Sequence, residues 1–137
     1  MLIHATCVAV DGHAALICGP SAGGKSDLAL RLIDGGARLV ADDQVALTVE
    51  DGRLIARPPP ALAGRMEVRG IGIVPMDHLS AAAVALAVDL VAPASVPRLP
   101  ERASRRYLGV AVPLIVLAPF EASAAAKLRL ALDRAGK

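Results

Sequence analysis

The residues with the densest chemical potential in this chain are consecutive: Gly19, Pro20, Ser21, Ala22, Gly23, Gly24, Lys25 and Ser26, reading "GPSAGGKS". They satisfy the pattern G-x-x-x-x-G-K-[ST]. Glycines let such a loop wind so that successive backbone N–H groups point inward and cradle phosphate oxygens. A helix beginning near Lys25 adds the positive end of its dipole at the same place. Lys25 is then placed to reach the β- and γ-phosphates, and the Ser26 hydroxyl to bind Mg²⁺. A glycine-rich turn between strand and helix satisfies the same letters. Context favours the phosphate reading, because the loop follows an apolar, strand-like run and opens a helical pattern.

Two further groups offer carboxylates. Asp42 and Asp43 close the apolar run "RLVADD". Adjacent strand residues point to opposite faces, so the pair is expected to divide its roles. One carboxylate would face a metal, directly or through water. The other would accept the proton of an attacking hydroxyl. A plain turn is the alternative, since Asp is common where strands end. "MEVRGIGIV" holds Glu67 and Arg69, which alternation places on one strand face; they read either as an ion pair or as a metal-side carboxylate beside a phosphate-orienting arginine. Gly70 and Gly72 mark a close backbone approach. His4 on a strand reads as a packed histidine, and His4, His13 and His78 lack the spacing of a zinc site.

These groups need a scaffold, and the bulk properties bound it. The length of 137 residues fits one domain, taken as 1–137. Hydrophobic residues make up 55% and aromatics only 1%, so the core must be aliphatic. The formal charge of +2 gives no case for nucleic acid or an anionic membrane surface. Arg98, Arg102, Arg105 and Arg106 cluster in sequence; a solvated face is the default reading, and a phosphate-facing role for one of them the sharper one. The most apolar run, 81–91, is interrupted by Asp89 and falls short of the ~20 residues a spanning helix needs. The N-terminus lacks a secretory pattern. Cytoplasmic residence, with Cys7 and Cys18 as buried reduced thiols, is the expectation.

Along the chain, Ile3 to Val10 alternates as a strand, "DG" at Asp11 and Gly12 signals a hairpin turn, and His13 to Cys18 forms the second strand. Lys25 to Ile33 is helical and stops at Gly35 and Gly36. "ARLVADD" is a short buried strand. "QVALTVE", "DGR" and "LIAR" make a second hairpin, and "PPPALAG" a rigid loop. "MEVRGIGIVPM" reads as one bent strand; Val84 to Leu90 and Leu108 to Leu117 are further strands; Ala122 to Ala135 is a surface helix. Hairpins combined with one strand–loop–helix unit indicate an α/β fold with a mixed sheet.

Four features together resemble the C-terminal catalytic domain of HPr kinase/phosphorylase, whose substrate is a serine of HPr, the phosphocarrier of the sugar phosphotransferase system. They are His4 upstream of the loop, "GPSAGGKSD" extending to Asp27, "RLVADD", and "MEVRGIGIV", which is similar to the family signature E-[IV]-R-G-[LI]-G. The resemblance spans His4 to Leu117. It implies the P-loop kinase fold shared with phosphoenolpyruvate carboxykinase, ATP and Mg²⁺ as cofactors, HPr as protein partner, and a homo-oligomer, hexameric in the family. Gly19 to Asp27 would hold the nucleotide, with Lys25 at the phosphates. Ser26 and Glu67 would be magnesium-side ligands and Asp42 would assist there. Asp43 would be the general base, and the general acid in reverse; His4 is its catalytic neighbour. Arg98, in "PRLPE", is similar to a family arginine near the active site.

Longer members carry an additional N-terminal domain and usually an acidic residue where Pro20 stands. The segment after Leu117 lacks their glycine–arginine–asparagine stretch, which goes with phosphorylase function. The chain looks like the compact form found in α-proteobacteria, for which kinase activity is the expectation. Two other readings stay open: a small-molecule phosphotransferase of the carboxykinase type, and a non-catalytic nucleotide-binding regulator.

Overall fold

The computed structural model describes residues 1–136. A nine-stranded sheet carries the fold, in the order β1–β5–β6–β9–β3–β2–β4, with a β10–β11 hairpin joined to it through β11 and β9. The strands are β1 (Leu2–His4), β2 (Thr6–Val10), β3 (His13–Cys18), β4 (Arg38–Ala41), β5 (Gln44–Glu50), β6 (Arg53–Arg57), β9 (Ala82–Leu90), β10 (Ala103–Tyr107) and β11 (Val110–Leu117). A separate two-stranded ribbon is formed by β7 (Arg65–Val68) and β8 (Gly72–Pro75). Helix α1 covers Lys25–Asp34 and α2 covers Ala124–Ala135.

Strand direction decides where a site can form. β3 runs parallel to β9, and β9 parallel to β11. β4 is antiparallel to β2, which is antiparallel to β3, so β4 points the same way as β3. The carboxyl ends of β3, β4, β9 and β11 therefore meet along one edge, the place where open α/β sheets bind ligands. The P-loop leaves β3 there, Asp42 leaves β4, and the segment preceding α2 leaves β11.

The sheet is buried on both faces. Ile17, Val88 and Leu39 turn toward α1 and α2, where they meet Leu28, Leu32, Leu128 and Leu132. Leu16, Ala87 and Val40 turn the other way, toward Val45, Leu47, Tyr107 and Val112. Two covered faces explain why β3 reads as the unbroken run "AALI" rather than an alternation.

Several elements differ from the sequence expectation. The first strand is two: it breaks at Ala5, between β1 and β2, so that β1 pairs with β5 while β2 pairs with β3 and β4. "MEVRGIGIVPM" is a hairpin and not one bent strand, since Gly70 (φ 89°) and Gly72 (φ 117°) close a tight reversal. Leu108 to Leu117 is the second arm of another hairpin, whose turn carries Leu108 (φ 51°) and Gly109 (φ 82°) and whose first arm, β10, has polar "SRR" in place of an apolar signal.

Candidate phosphate-binding cleft

The P-loop links β3 to α1. Its glycines answer specific steric demands. Gly24 precedes α1 with φ 96°, and a Cβ there would lie 3.0 Å from both Phe120 Cζ and Pro119 Cβ. Gly23 donates its N–H to the Pro20 carbonyl at 2.9 Å, and a Cβ on Gly23 would meet that oxygen at 2.7 Å. Lys25, 6% exposed, donates its ammonium to the carbonyls of Gly19 (2.9 Å) and Pro20 (2.8 Å). That holds a buried positive charge beside the start of a helix, an arrangement suited to phosphate.

The two aspartates do divide, although the cause is a turn and not the strand pleat. β4 ends at Ala41, and Asp43 takes a left-handed conformation (φ 70°), which Asp tolerates better than most residues. Asp42 is 7% exposed and turned inward. Its Oδ1 accepts hydrogen bonds from Ser26 Oγ (2.7 Å) and Thr6 Oγ1 (3.0 Å), and its Oδ2 from the Glu67 N–H (3.2 Å). Asp43 faces outward, with its Oδ1 3.4 Å from His4 Nδ1 and side-chain exposures of 63% and 49% for the two residues.

The result is an open cleft of about 870 Å³. Lys25, Ser26 and Asp27 line one side, and His4 and Asp43 another. Glu67 and Arg69, from the β7–β8 hairpin, line a third. Arg69 lies in the turn of that hairpin, outside β7, so sharing a strand face with Glu67 is not what brings it there. Gly19, Pro20 and Gly23 belong to the same loop but stand away from this cleft. Arg98 is exposed in the segment between β9 and β10 and is not among the lining residues. His13 packs beside Gly136 and His78 beside Gly64, both away from the cleft.

Sequence reasoning missed Thr6, whose hydroxyl binds Asp42; a lone Thr in an apolar strand carries no signal. It also missed the partner of Arg105. That guanidinium grips Asp89 with both nitrogens, at 2.8 and 2.6 Å, and lies 3.5 Å from Tyr107 Oη. One of the four clustered arginines is thus committed to a strand-to-strand ion pair.

The profile of the family described as HPr Serine kinase C-terminal domain matches residues 1–118. The chain belongs to that family. It is 47% identical over 77 residues to the HPr kinase/phosphorylase of Clostridium beijerinckii, covering 56% of this chain and 26% of the relative. The corresponding protein of Clostridium tetani is 46% identical over 77 residues, covering 56% of this chain and 25% of the relative. The chain thus spans about a quarter of the length of these relatives. In fold it is similar to the HPr(Ser) kinase/phosphatase from Coxiella burnetii, with a TM-score of 0.85, 30% identity, and coverage of 98% of this chain and 88% of that one. The architecture is therefore the α/β P-loop fold of the HPr kinase family.

The donor set suits magnesium better than a transition metal. Among the described residues no three His, Cys, Asp or Glu side chains cluster as a metal site. Mg²⁺ instead keeps several waters and takes one or two carboxylates together with substrate phosphates. Ser26 and Glu67, which line the cleft, together with the buried Asp42, whose Oδ1 lies 2.7 Å from Ser26 Oγ, fit that demand. No helix among the described residues is long and apolar enough to cross a membrane.

Proposed function

We propose that this chain transfers the γ-phosphoryl group of ATP to a serine hydroxyl of the phosphocarrier HPr. The observation that carries the reading is the placement of the outward carboxylate of Asp43 across one cleft from Lys25 and Ser26. A phosphate cradle alone supports only nucleotide binding. A cradle faced by an outward-facing carboxylate also supports transfer, because the attacking hydroxyl must lose a proton.

In this reading Gly19 to Asp27 hold the nucleotide, and Lys25 neutralises charge on the phosphates. Ser26, Asp42 and Glu67 form the magnesium side; the ion, when bound, neutralises charge developing between the phosphoryl group and its leaving group. Asp43 takes the serine proton, and in reverse returns it. His4 sits against Asp43 and positions its carboxylate. Arg69 orients phosphate from the hairpin wall. The site is cytoplasmic. Arg98 lies outside the cleft of its own chain, so a role for it requires a homo-oligomer, hexameric as in the family, that brings a second copy's loop over the cleft.

The names of the relatives and the open cleft support a protein acceptor over a small molecule. Labelled ATP with purified HPr, read by mass spectrometry, tests the proposal; phosphorylated HPr with ADP tests the reverse reaction by the ATP it forms, and phosphorylated HPr with inorganic phosphate tests phosphorolysis by the pyrophosphate released. Phosphate on one serine is expected in the forward direction. No incorporation across a range of magnesium and protein concentrations would remove the kinase reading.

A further inference from the structure

Beside the catalytic cleft, and lined by other residues of the P-loop, lies a second concavity of about 410 Å³. Its walls are Pro20 and Gly23 of the P-loop, the segment 90–93 leaving β9, and the segment 118–121 leaving β11. Phe120 belongs to both concavities. It is the chain's single phenylalanine, yet it is 73% exposed.

The ring is nevertheless held in place. Its Cζ would lie 3.0 Å from a Cβ on Gly24, so it rests against the backbone of the phosphate loop. Arg31, one helical turn beyond Asp27 in α1, donates from its two terminal nitrogens to the carbonyls of Pro119 and Glu121, the residues on either side of Phe120. Asp27 in turn accepts from Arg31 Nε at 3.2 Å. One guanidinium thus fixes the main chain around an exposed aromatic ring and links it to the first turn of the phosphate-binding helix.

We infer that this second concavity, with Phe120 as its stacking surface, holds the base of the nucleotide whose phosphates occupy the P-loop. The inference rests on the phosphate-binding reading above. Three observations favour a nucleobase as the occupant. The concavity adjoins the loop that would hold the phosphates: Pro20 and Gly23 of that loop are in its wall, and Phe120 is common to it and the catalytic cleft. Its volume falls within the roughly 300–1,000 Å³ of small-molecule sites. Its side chains are apolar apart from Glu121, and Glu121 lies 3.6 Å from Lys127. An apolar concavity beside an exposed aromatic suits a base, since every base presents a π-face to stack.

The same walls imply weak selection between bases. A site discriminates strongly when its own buried polar groups require a partner, and apolar walls do not impose that requirement.

Calorimetric titration of the wild type and Phe120→Ala with Mg-ATP, Mg-GTP and Mg-tripolyphosphate tests the inference. Wild type is expected to bind ATP and GTP within about tenfold of each other and tripolyphosphate more weakly. Phe120→Ala should lose about tenfold or more in affinity for both nucleotides and none for tripolyphosphate. Phe120→Trp adds a readout that does not depend on truncation: the chain has no tryptophan, so the new indole should be quenched by ATP and GTP but not by tripolyphosphate. Equal losses for nucleotide and tripolyphosphate in Phe120→Ala would reduce Phe120 to a support for the P-loop and overturn the inference. Unchanged nucleotide affinity, or an indole silent to ATP, would place the base elsewhere. Strong exclusion of GTP would show that polar groups outside these walls read the base. Wild type that binds neither nucleotide nor tripolyphosphate would instead remove the underlying phosphate reading.

Discussion

Ser26 Oγ donates a 2.7 Å hydrogen bond to Asp42 Oδ1, joining the first turn of α1 to the chain just beyond β4. The same carboxylate also takes the Thr6 hydroxyl from β2 and the Glu67 N–H from β7. One buried side chain therefore ties together the strand beside the P-loop strand, the helix that follows the P-loop, the end of β4 and the hairpin that lines the cleft. Asp42 is a structural hub, apart from the magnesium-side role proposed for it.

Removing that carboxylate should then affect fold and site together. Asp42→Ala leaves three donors around a buried gap, and stranding such donors costs about 1–3 kcal/mol. The urea midpoint should fall, and magnesium should no longer strengthen ATP binding. An unchanged midpoint would mean that the hydroxyls of Thr6 and Ser26 and the Glu67 amide find other partners without cost.

Asp43 should behave in the opposite way. It is outward-facing, and its left-handed backbone (φ 70°) suits Asn as well as Asp. Asp43→Asn is expected to keep the melting temperature and ATP affinity of the wild type while phosphoryl transfer falls by about 10²–10⁴-fold. Lys25→Ala should lose ATP binding itself. A non-catalytic nucleotide sensor would instead retain its cellular role in Asp43→Asn and lose it in Lys25→Ala, so the two variants separate these readings.

How far the site could be read from the sequence depended on whether each feature was local. The P-loop, α1 and the "DG" hairpin are encoded by neighbouring residues whose backbone demands are distinctive, and they lie where periodicity and glycine spacing put them. The divergence of Asp42 and Asp43 was also anticipated, but from pleat alternation, whereas a left-handed residue past the strand end produces it. What stayed hidden was non-local. Thr6 and Asp42 are 36 residues apart, and Arg31 and Pro119 are 88 apart. Contacts across such separations exist only once the parallel strands align their carboxyl ends. β10 was lost for another reason: a strand reading "ASRRY" shows no apolar alternation, because one of its arginines is turned onto Asp89.

Two glycines with similar backbone angles should respond differently to alanine. Gly24 (φ 96°) and Gly36 (φ 109°) both occupy the left-handed region, where an L side chain costs roughly 1–2 kcal/mol. A Cβ on Gly36 would meet nothing within 4 Å, while one on Gly24 would press on Phe120 and Pro119. Gly36→Ala should therefore lower stability and leave ATP affinity alone. Gly24→Ala should lower both, because relief of the clash moves the P-loop. Thermal unfolding and nucleotide titration on the pair check this, and equal ATP affinities in the two variants would contradict it.

The last prediction concerns pH and the face of the sheet opposite the helices. Burial raises the proton affinity of Cys7, with a smaller push from Cys18. Burial likewise raises Cys18, against an opposing hydrogen bond to Tyr107. It raises Tyr107 too, against the opposing effect of Arg105. In each case the folded chain holds its proton more tightly than the unfolded chain, where the thiols titrate near 9.0 and the phenol near 10.0. Below those values both states are protonated and the full stability is present. As pH rises past them the unfolded state releases protons first, so stability falls, by about 1.4 kcal/mol per pH unit for each proton of difference. Urea unfolding followed from pH 7.5 to 10.5 (a range of roughly three units spanning the ordinary thiol value) should show a flat region and then a steady decline. Cys7→Ala should start from a lower stability, because it opens a small cavity, but decline less steeply above the thiol range. Parallel declines in wild type and Cys7→Ala would show that the Cys7 thiol titrates alike in both states and is not shielded by the core.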